Sequence, residues 1–214
     1  MRATDYIFRS RLYFGDITPP DILEDVSRNQ THGVFKGTGK PDWKRLDSGL
    51  WVQNYEDSTT DSVTISFSAT VTSPYTVKLW ARTDQTPSVR GVNGFLCDGG
   101  SINTGCFTIV SGTDRIYFYN GTDVLYTATD PTFTDWNMFV AVVNGASSAV
   151  YLNDGSPATG TMSAPALTTF YFGRSGNDTV WHDGDIALQD LINYALTSDE
   201  IYSIFQNERG WFGK

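Results

Sequence analysis

Asn137-Met-Phe-Val-Ala-Val-Val143, Asn144-Gly-Ala-Ser-Ser148 and Ala149-Val-Tyr-Leu-Asn153 follow one another, and this stretch decides the fold. The first run is apolar almost throughout and rich in Val, which reads as a buried strand. The Asn, Gly and Ser that follow have turn chemistry. The third run returns as a second short strand, and Asp154-Gly155 turns the chain again. Together they predict an antiparallel hairpin.

The same grammar extends in both directions. Val63-Thr-Ile65-Ser-Phe67 and Tyr75-Thr-Val77-Lys-Leu79-Trp80-Ala81-Arg82 alternate with the period of a strand. Asp114-Arg-Ile-Tyr-Phe-Tyr119 meets Asp123-Val-Leu-Tyr-Thr127 across Asn120-Gly121. Asn-Gly between two such runs signals a two-residue hairpin turn, and pairing across it sets Tyr117 opposite Val124 and Ile116 opposite Leu125. Phe170-Tyr-Phe172 and Asp185-Ile-Ala-Leu-Gln-Asp-Leu-Ile192 are further strands. One helix is expected, over about 197–208. Thr197 and Glu200 form a capping box, Leu196 and Ile201 a hydrophobic staple, and Ile201, Ile204 and Phe205 share one face. Gly210 is expected to stop it. The expected fold class is therefore all-β, a two-sheet antiparallel sandwich closed by one short C-terminal helix. No break in composition divides the 214 residues, so residues 1–214 are read as one domain.

Composition agrees and excludes partners. The 13 Phe, 11 Tyr and 6 Trp suit strands. The net charge of −9 and the absence of a Lys/Arg cluster argue against nucleic acid. Asp outnumbers Glu 20 to four, which fits loop chemistry more than helix chemistry. The opening MRATDYIFRSRLYFG mixes charge into its apolar run, unlike an export signal. No stretch is long and apolar enough to insert in a membrane.

Several motifs in order resemble laminin-G-like domains of the concanavalin-A-like lectin and glucanase superfamily. Gly184-Asp-Ile leading into Asn193-Tyr-Ala195-Leu196-Thr-Ser-Asp-Glu200-Ile201 is similar to that family's closing strand and helix. Trp136 with Asn137–Val143, then Val150-Tyr-Leu-Asn-Asp-Gly155, resembles its central hairpin. Phe172-Gly173 resembles a strand end, and Tyr75–Trp80 an inner strand. Leu12-Tyr-Phe14 resembles its first core strand, and Asp25-Val-Ser27-Arg-Asn29-Gln-Thr-His32-Gly33 its "D-x-S-G-N-x-x-H-G" loop. The resemblance implies a jelly-roll sandwich that binds glycans or proteins, with glucanases among its relatives.

Candidate chemistry is sparse. Glucanases of this type carry Glu-x-Asp-x-(x)-Glu on one strand, and this chain has no such pattern. Glu200 caps the helix, Glu208 sits at its end, and Glu24 and Glu56 fall in loops. No catalytic residue is assigned, and the expectation is a protein that is not an enzyme. His32 and His182 read as structural. In many relatives the resemblance implies a calcium ion between the Asp25–Asn29 loop and an Asp on the closing strand. Here that Asp is Ala187 and the loop's Gly is Arg28, so no metal or other cofactor is expected. Asp178, Asp183 and Asp185 cluster, as solvated turn residues do.

Sugar rings stack on exposed aromatics. Trp80 and Trp136 fit core positions, and Trp51 and Trp181 also read as core. Trp43, within Lys40-Pro-Asp-Trp-Lys-Arg45, is the candidate ligand-binding residue. Trp211 and Phe212 either fold back on the sandwich or dock on a neighbour. Cys97 and Cys106 read as a pair of reduced, strand-borne thiols; a turn at Ser101-Ile102 would set them opposite each other and make a disulfide geometrically possible, which any register shift removes.

The leading expectation is a non-catalytic module on the surface of a phage or virus particle, made in the host cytoplasm. It would dock on virion proteins or as a homo-oligomer, and bind host glycans. The alternative is a free-standing, extracellular lectin-like domain, and a glycoside hydrolase is third.

Overall fold

A computed structural model describes residues 6–17, 19–38, 40–86, 94–100, 104–113, 115–127, 132–163, 166–177 and 179–214. Among them sixteen strands form two eight-stranded antiparallel sheets. The first sheet runs β14 (Ala158–Gly160), β13 (Ser148–Leu152), β12 (Asn137–Val143), β7 (Tyr75–Thr83), β16 (Gly184–Ile192), β5 (Trp51–Tyr55), β4 (Asp42–Arg45), with β1 (Tyr6–Arg9) also on β16. The second runs β11 (Asp123–Tyr126), β10 (Arg115–Asn120), β9 (Thr104–Val110), β8 (Gly94–Asp98), β15 (Leu167–Phe172), β6 (Ser62–Val71), β3 (Gly33–Lys36), β2 (Ile22–Leu23). Among the described residues no helix is long and apolar enough to cross a membrane.

The core between the sheets is aromatic. Phe107 meets Phe118 edge to face at 4.7 Å, and Phe170 meets Phe172 at 5.3 Å. A second apolar cluster lies on the other face of the first sheet, where Trp80, Met138, Val140 and Ala187 meet Leu196, Ile201, Phe205 and Phe212. Strands β12 and β16 are consequently buried along their whole length. This is why the 137–143 run is apolar without alternation. β16 also carries an irregularity between Ala187 and Asp190, with Leu188 at φ 50°. On one side both halves of β16 pair with β7, while on the other they pair with β5 and β1 in turn.

Helix α1 (Ser198–Glu208) covers that second cluster. Its capping box is complete: Glu200 N donates to Thr197 Oγ1 at 3.3 Å, and Thr197 N donates to Glu200 Oε2 at 2.9 Å. Thr197→Ala should therefore cost about 1 kcal/mol and lower the melting midpoint by roughly 2–4 °C. A calorimetric scan showing no shift would remove the cap as a contributor.

Three expectations are corrected, and the cysteine pairing is resolved. Gly210 does not stop the winding: the chain continues as a 3-10 turn over Arg209–Phe212 and ends at Gly213, φ 72°. Burial drives it on, since Phe212 stacks on Trp80 at 4.3 Å and packs on Trp136 at 4.7 Å. The Asn120-Gly121 hairpin exists, but its register pairs Tyr117 with Tyr126 and Phe118 with Leu125, not Tyr117 with Val124 or Ile116 with Leu125. Asn120 belongs to the strand, where its buried side chain accepts from Gly105 N at 3.1 Å, so the loop moves on to Gly121-Thr122. A shift of two residues preserves which side chains face the core. The first core strand is Tyr6–Arg9, with Phe8 fully buried, whereas Leu12–Phe14 holds only a bridge from Phe14 to Leu50. Cys97 pairs with Phe107 and Cys106 with Tyr119, so both thiols are buried and free, and burial pushes both up. The turn at Ser101-Ile102 lies outside the described residues, as does Asp178.

Candidate glycan-binding grooves

The six tryptophans divide by what their indole N–H does. Trp43 donates to Pro20 O at 2.7 Å, Trp51 to Gly15 O at 2.9 Å, and Trp80 to Glu208 Oε2 at 2.6 Å. Among the described residues no acceptor takes the N–H of Trp136, Trp181 or Trp211. These three line two open grooves.

The first groove, about 600 Å³, lies between the β4–β5 hairpin and the 3-10 turn. Trp136, Trp211 and Phe212 give it aromatic surface, and Lys44, Arg45, Asp47 and Arg82 give it charge. Strand alternation explains Lys44. On β4 the Trp43 ring turns inward and packs on Tyr13 at 5.5 Å and Phe35 at 5.9 Å, so its neighbour must point outward. The candidate Trp43 is thus half-buried at the core margin, while the groove takes the next two residues of the same segment.

Arg82 is held in place by Asp185. Its Nε and Nη2 donate to Asp185 Oδ2 at 2.8 and 2.7 Å, and its guanidinium lies 5.5 Å over the Trp136 ring. Asp185 is fully buried, and Lys44 at 3.3 Å and Asn54 at 2.8 Å also donate to it. One carboxylate therefore orients two cations at the groove floor. Trp211 stands at the rim, edge to face with Phe14 at 5.5 Å.

The second groove, about 490 Å³, is on the outer face of the second sheet. Lys36, Thr60, Ser62, Thr64, Tyr171, Arg174 and Trp181 line it. Trp181, read from sequence as core, is half-buried here. A smaller cleft of about 360 Å³ by the Asp25 loop has no charged side chain and one aromatic ring, Phe67.

The remaining sequence candidates have structural partners. Asp25 accepts from Arg9 N at 3.0 Å, Ser27 N at 2.7 Å, Ser27 Oγ at 2.7 Å and Thr31 N at 2.8 Å. Four donors occupy a carboxylate that a calcium ion would need, and Ala187 is buried beside Trp80. The residues there do not fit a calcium ion. His32 Nδ1 accepts from Asp25 N at 3.0 Å, and buried His182 contacts Arg82 O at 3.2 Å. Glu24 accepts from Tyr13 Oη at 2.5 Å and Arg11 at 2.7 Å, and these bonds hold its carboxyl below the usual range. Glu208 is sequestered with Lys78 under α1, Glu200 is the cap, and Glu56 is exposed.

Two stacked antiparallel sheets closed by one short C-terminal helix define a jelly-roll sandwich. The family described as the concanavalin A-like lectin/glucanases superfamily, of laminin-G type, matches residues 57–202, and the chain belongs to it. No curated protein matches the sequence. Among solved structures, domain 4 of AbnA, a GH43 extracellular arabinanase from Geobacillus stearothermophilus in complex with arabinotriose, is similar with a TM-score of 0.69 and 16% identity, over 93% of this chain and 98% of that one. The binding domain of botulinum neurotoxin DC in complex with rat synaptotagmin II has a TM-score of 0.67 at 11% identity, over 96% of this chain and 52% of that one. A structure described as showing botulinum neurotoxin type C entry to depend on two ganglioside molecules has 0.65 at 11%, over 96% and 51%. The chain thus spans about half the length of the toxin chains. At these identities the likeness is one of fold.

Proposed function

We propose that this protein is a non-catalytic glycan-binding module whose ligand lies in the groove beside Trp211. The carrying observation is that Trp136 and Trp211 keep their indole N–H groups unspent in one groove with Arg82, Lys44 and Asp47. A sugar ring can rest its apolar face on Trp211. Arg82 and Lys44 donate to its hydroxyls, Asp47 accepts, and Asp185 keeps Arg82 from paying orientation entropy on binding. The arabinotriose and ganglioside named for similar structures support a saccharide as ligand.

The test is a glycan array followed by calorimetry with the best ligand. Trp211→Ala should weaken binding by about tenfold, the loss of one aromatic stack with its burial. Trp43→Ala is the comparison: an equal loss there would move the site to the inner-facing ring of β4. Binding to no glycan, or hydrolysis of the bound one, would overturn the reading.

As its setting we propose the surface of a virus particle. Leu12, Phe14 and Ile17, exposed within six residues, support docking on a larger assembly. Detection of the chain in purified particles, and its loss on Ile17→Asp, would test that setting; its absence from particles would favour the free-standing lectin.

A further inference from the structure

We propose that the second groove is a separate site for an acidic saccharide, one bearing a carboxylate or a sulfate ester. The argument begins from register. Across the outer face of the second sheet, Lys36 on β3 stands opposite Ser62 on β6, and Thr64 on β6 stands between Val34 and Tyr171. Alternation buries Phe35 and exposes Val34 and Lys36. The sheet thereby sets one ammonium, two hydroxyls and one phenol ring side by side.

The chain then adds a wall. After β15 it turns back on itself: Arg174 bridges Trp181, Ser175 N donates to Val180 O at 2.9 Å, and His182 N donates to Gly173 O at 2.7 Å. This small loop holds Arg174 and Trp181 over the end of the sheet. The Arg174 guanidinium lies 3.7 Å over the Tyr171 ring. Guanidinium N–H groups are suited to a carboxylate or a sulfate.

The inventory of polar groups decides the ligand's character. Lys36 Nζ, Trp181 Nε1 and the hydroxyls of Thr60, Ser62 and Thr64 make no hydrogen bond to a described residue. Ammonium, guanidinium and indole N–H donate and cannot accept. No carboxylate lines the groove among the described residues. Asp98, whose charge acts on Arg174, is fully buried and accepts from Gly99 N, Thr104 N and Gly176 N. A donor-rich surface whose Lys36 ammonium has no ion pair to a described residue, on a chain of net charge −9, selects a ligand rich in acceptors and negative charge. Tyr171, Trp181 and the three hydroxyls fit the rest of a sugar ring.

The two sites are on different sheets and share no lining residue, so they can be tested apart. Calorimetry on the whole chain would compare lactose, 3′-sialyllactose and 6′-sulfolactose. At least one acidic sugar should bind about tenfold or more tighter than lactose, and the advantage should shrink as salt rises. Whichever of the two binds tighter identifies carboxylate or sulfate. Lys36→Ala and Trp181→Ala should each remove the advantage, and Trp211→Ala should leave it intact. Lys36 is exposed, so its loss leaves folding unchanged, which circular dichroism checks. Equal binding of acidic and neutral sugars, or no binding of either, overturns the proposal. So does a preference that Trp211→Ala removes while Lys36→Ala does not. If neutral glycans still bind through Trp211 in that case, the first groove keeps its reading while the second loses its own.

Discussion

Lys78→Met should cost about 3–5 kcal/mol of folding stability, because it strands two carboxylates beneath the C-terminal helix. Lys78 is fully buried and pairs with Asp190 at 3.0 Å and with both oxygens of Glu208 at 2.9 Å. Glu208 also accepts from Trp80 Nε1, so the cluster ties β7 and β16 to the last turn of α1. Burial alone would push the ammonium pKa down. Asp190 and Glu208 together outweigh it and raise that pKa, which keeps Lys78 charged. For Asp190 the balance goes the other way: burial and the Glu208 charge raise its pKa against the pull of Lys78. Urea unfolding should show a lower midpoint at unchanged slope. A cost under about 1 kcal/mol would mean that water reaches the cluster.

The pH dependence has a definite sign. A raised Asp190 pKa means that the folded state holds this proton more tightly than the unfolded chain. That contribution is present below about pH 4 and is lost as pH rises through the raised folded value. The raised Lys78 pKa gives stability that is full below about pH 10 and is lost as pH climbs through its folded value. In Lys78→Met, Asp190 loses a cation that restrains its pKa. The variant's deficit should therefore be largest near neutrality and narrow towards pH 4. A deficit constant over that range would sink the assignment to Asp190.

Gly184→Ala should be comparably damaging, at about 3–5 kcal/mol from overpacking plus backbone strain. Gly184 has φ 143°, and a Cβ there would come within 2.2 Å of Arg82 O and 2.8 Å of Thr83 Cα. Both obstacles are backbone of the paired strand β7, so no side chain can swing away. The displaced neighbours are Arg82, which lines the first groove, and Asp185, the buried carboxylate that holds it. Glycan binding should weaken along with stability. Gly210→Ala is the control, because a Cβ there meets nothing within 4 Å. Equal melting midpoints for the two variants would show that the close approach at Gly184 can relax.

The antiparallel hairpins, the buried 137–143 strand and the capped helix were legible because each depends on nearby residues. Alternation, turn chemistry and capping are local, and the ordered motifs carried them to the family. The functional surface was less legible. Lys40–Arg45 stood out as a polar segment holding a tryptophan, but which of its side chains faces inward depends on register with β5. The Trp43 indole found Pro20 and the core margin, while Lys44 and Arg45 took the groove. Trp181 offered no local sign of exposure, because its surroundings come from β3, β6 and β15.

By itself, then, the sequence determined an all-β sandwich with a C-terminal helix, since a pattern of period two with turn residues admits few other solutions. It also removed the glucanase carboxylate pattern, because that requirement is a spacing along one strand. Tertiary structure alone decided which tryptophan N–H groups have no acceptor among the described residues, which carboxylates are spent on the chain's own N–H groups, and which cations line the two grooves. Those outcomes depend on contacts between residues far apart in the chain, such as Lys44 with Asp185, 141 residues on, and no local pattern encodes them.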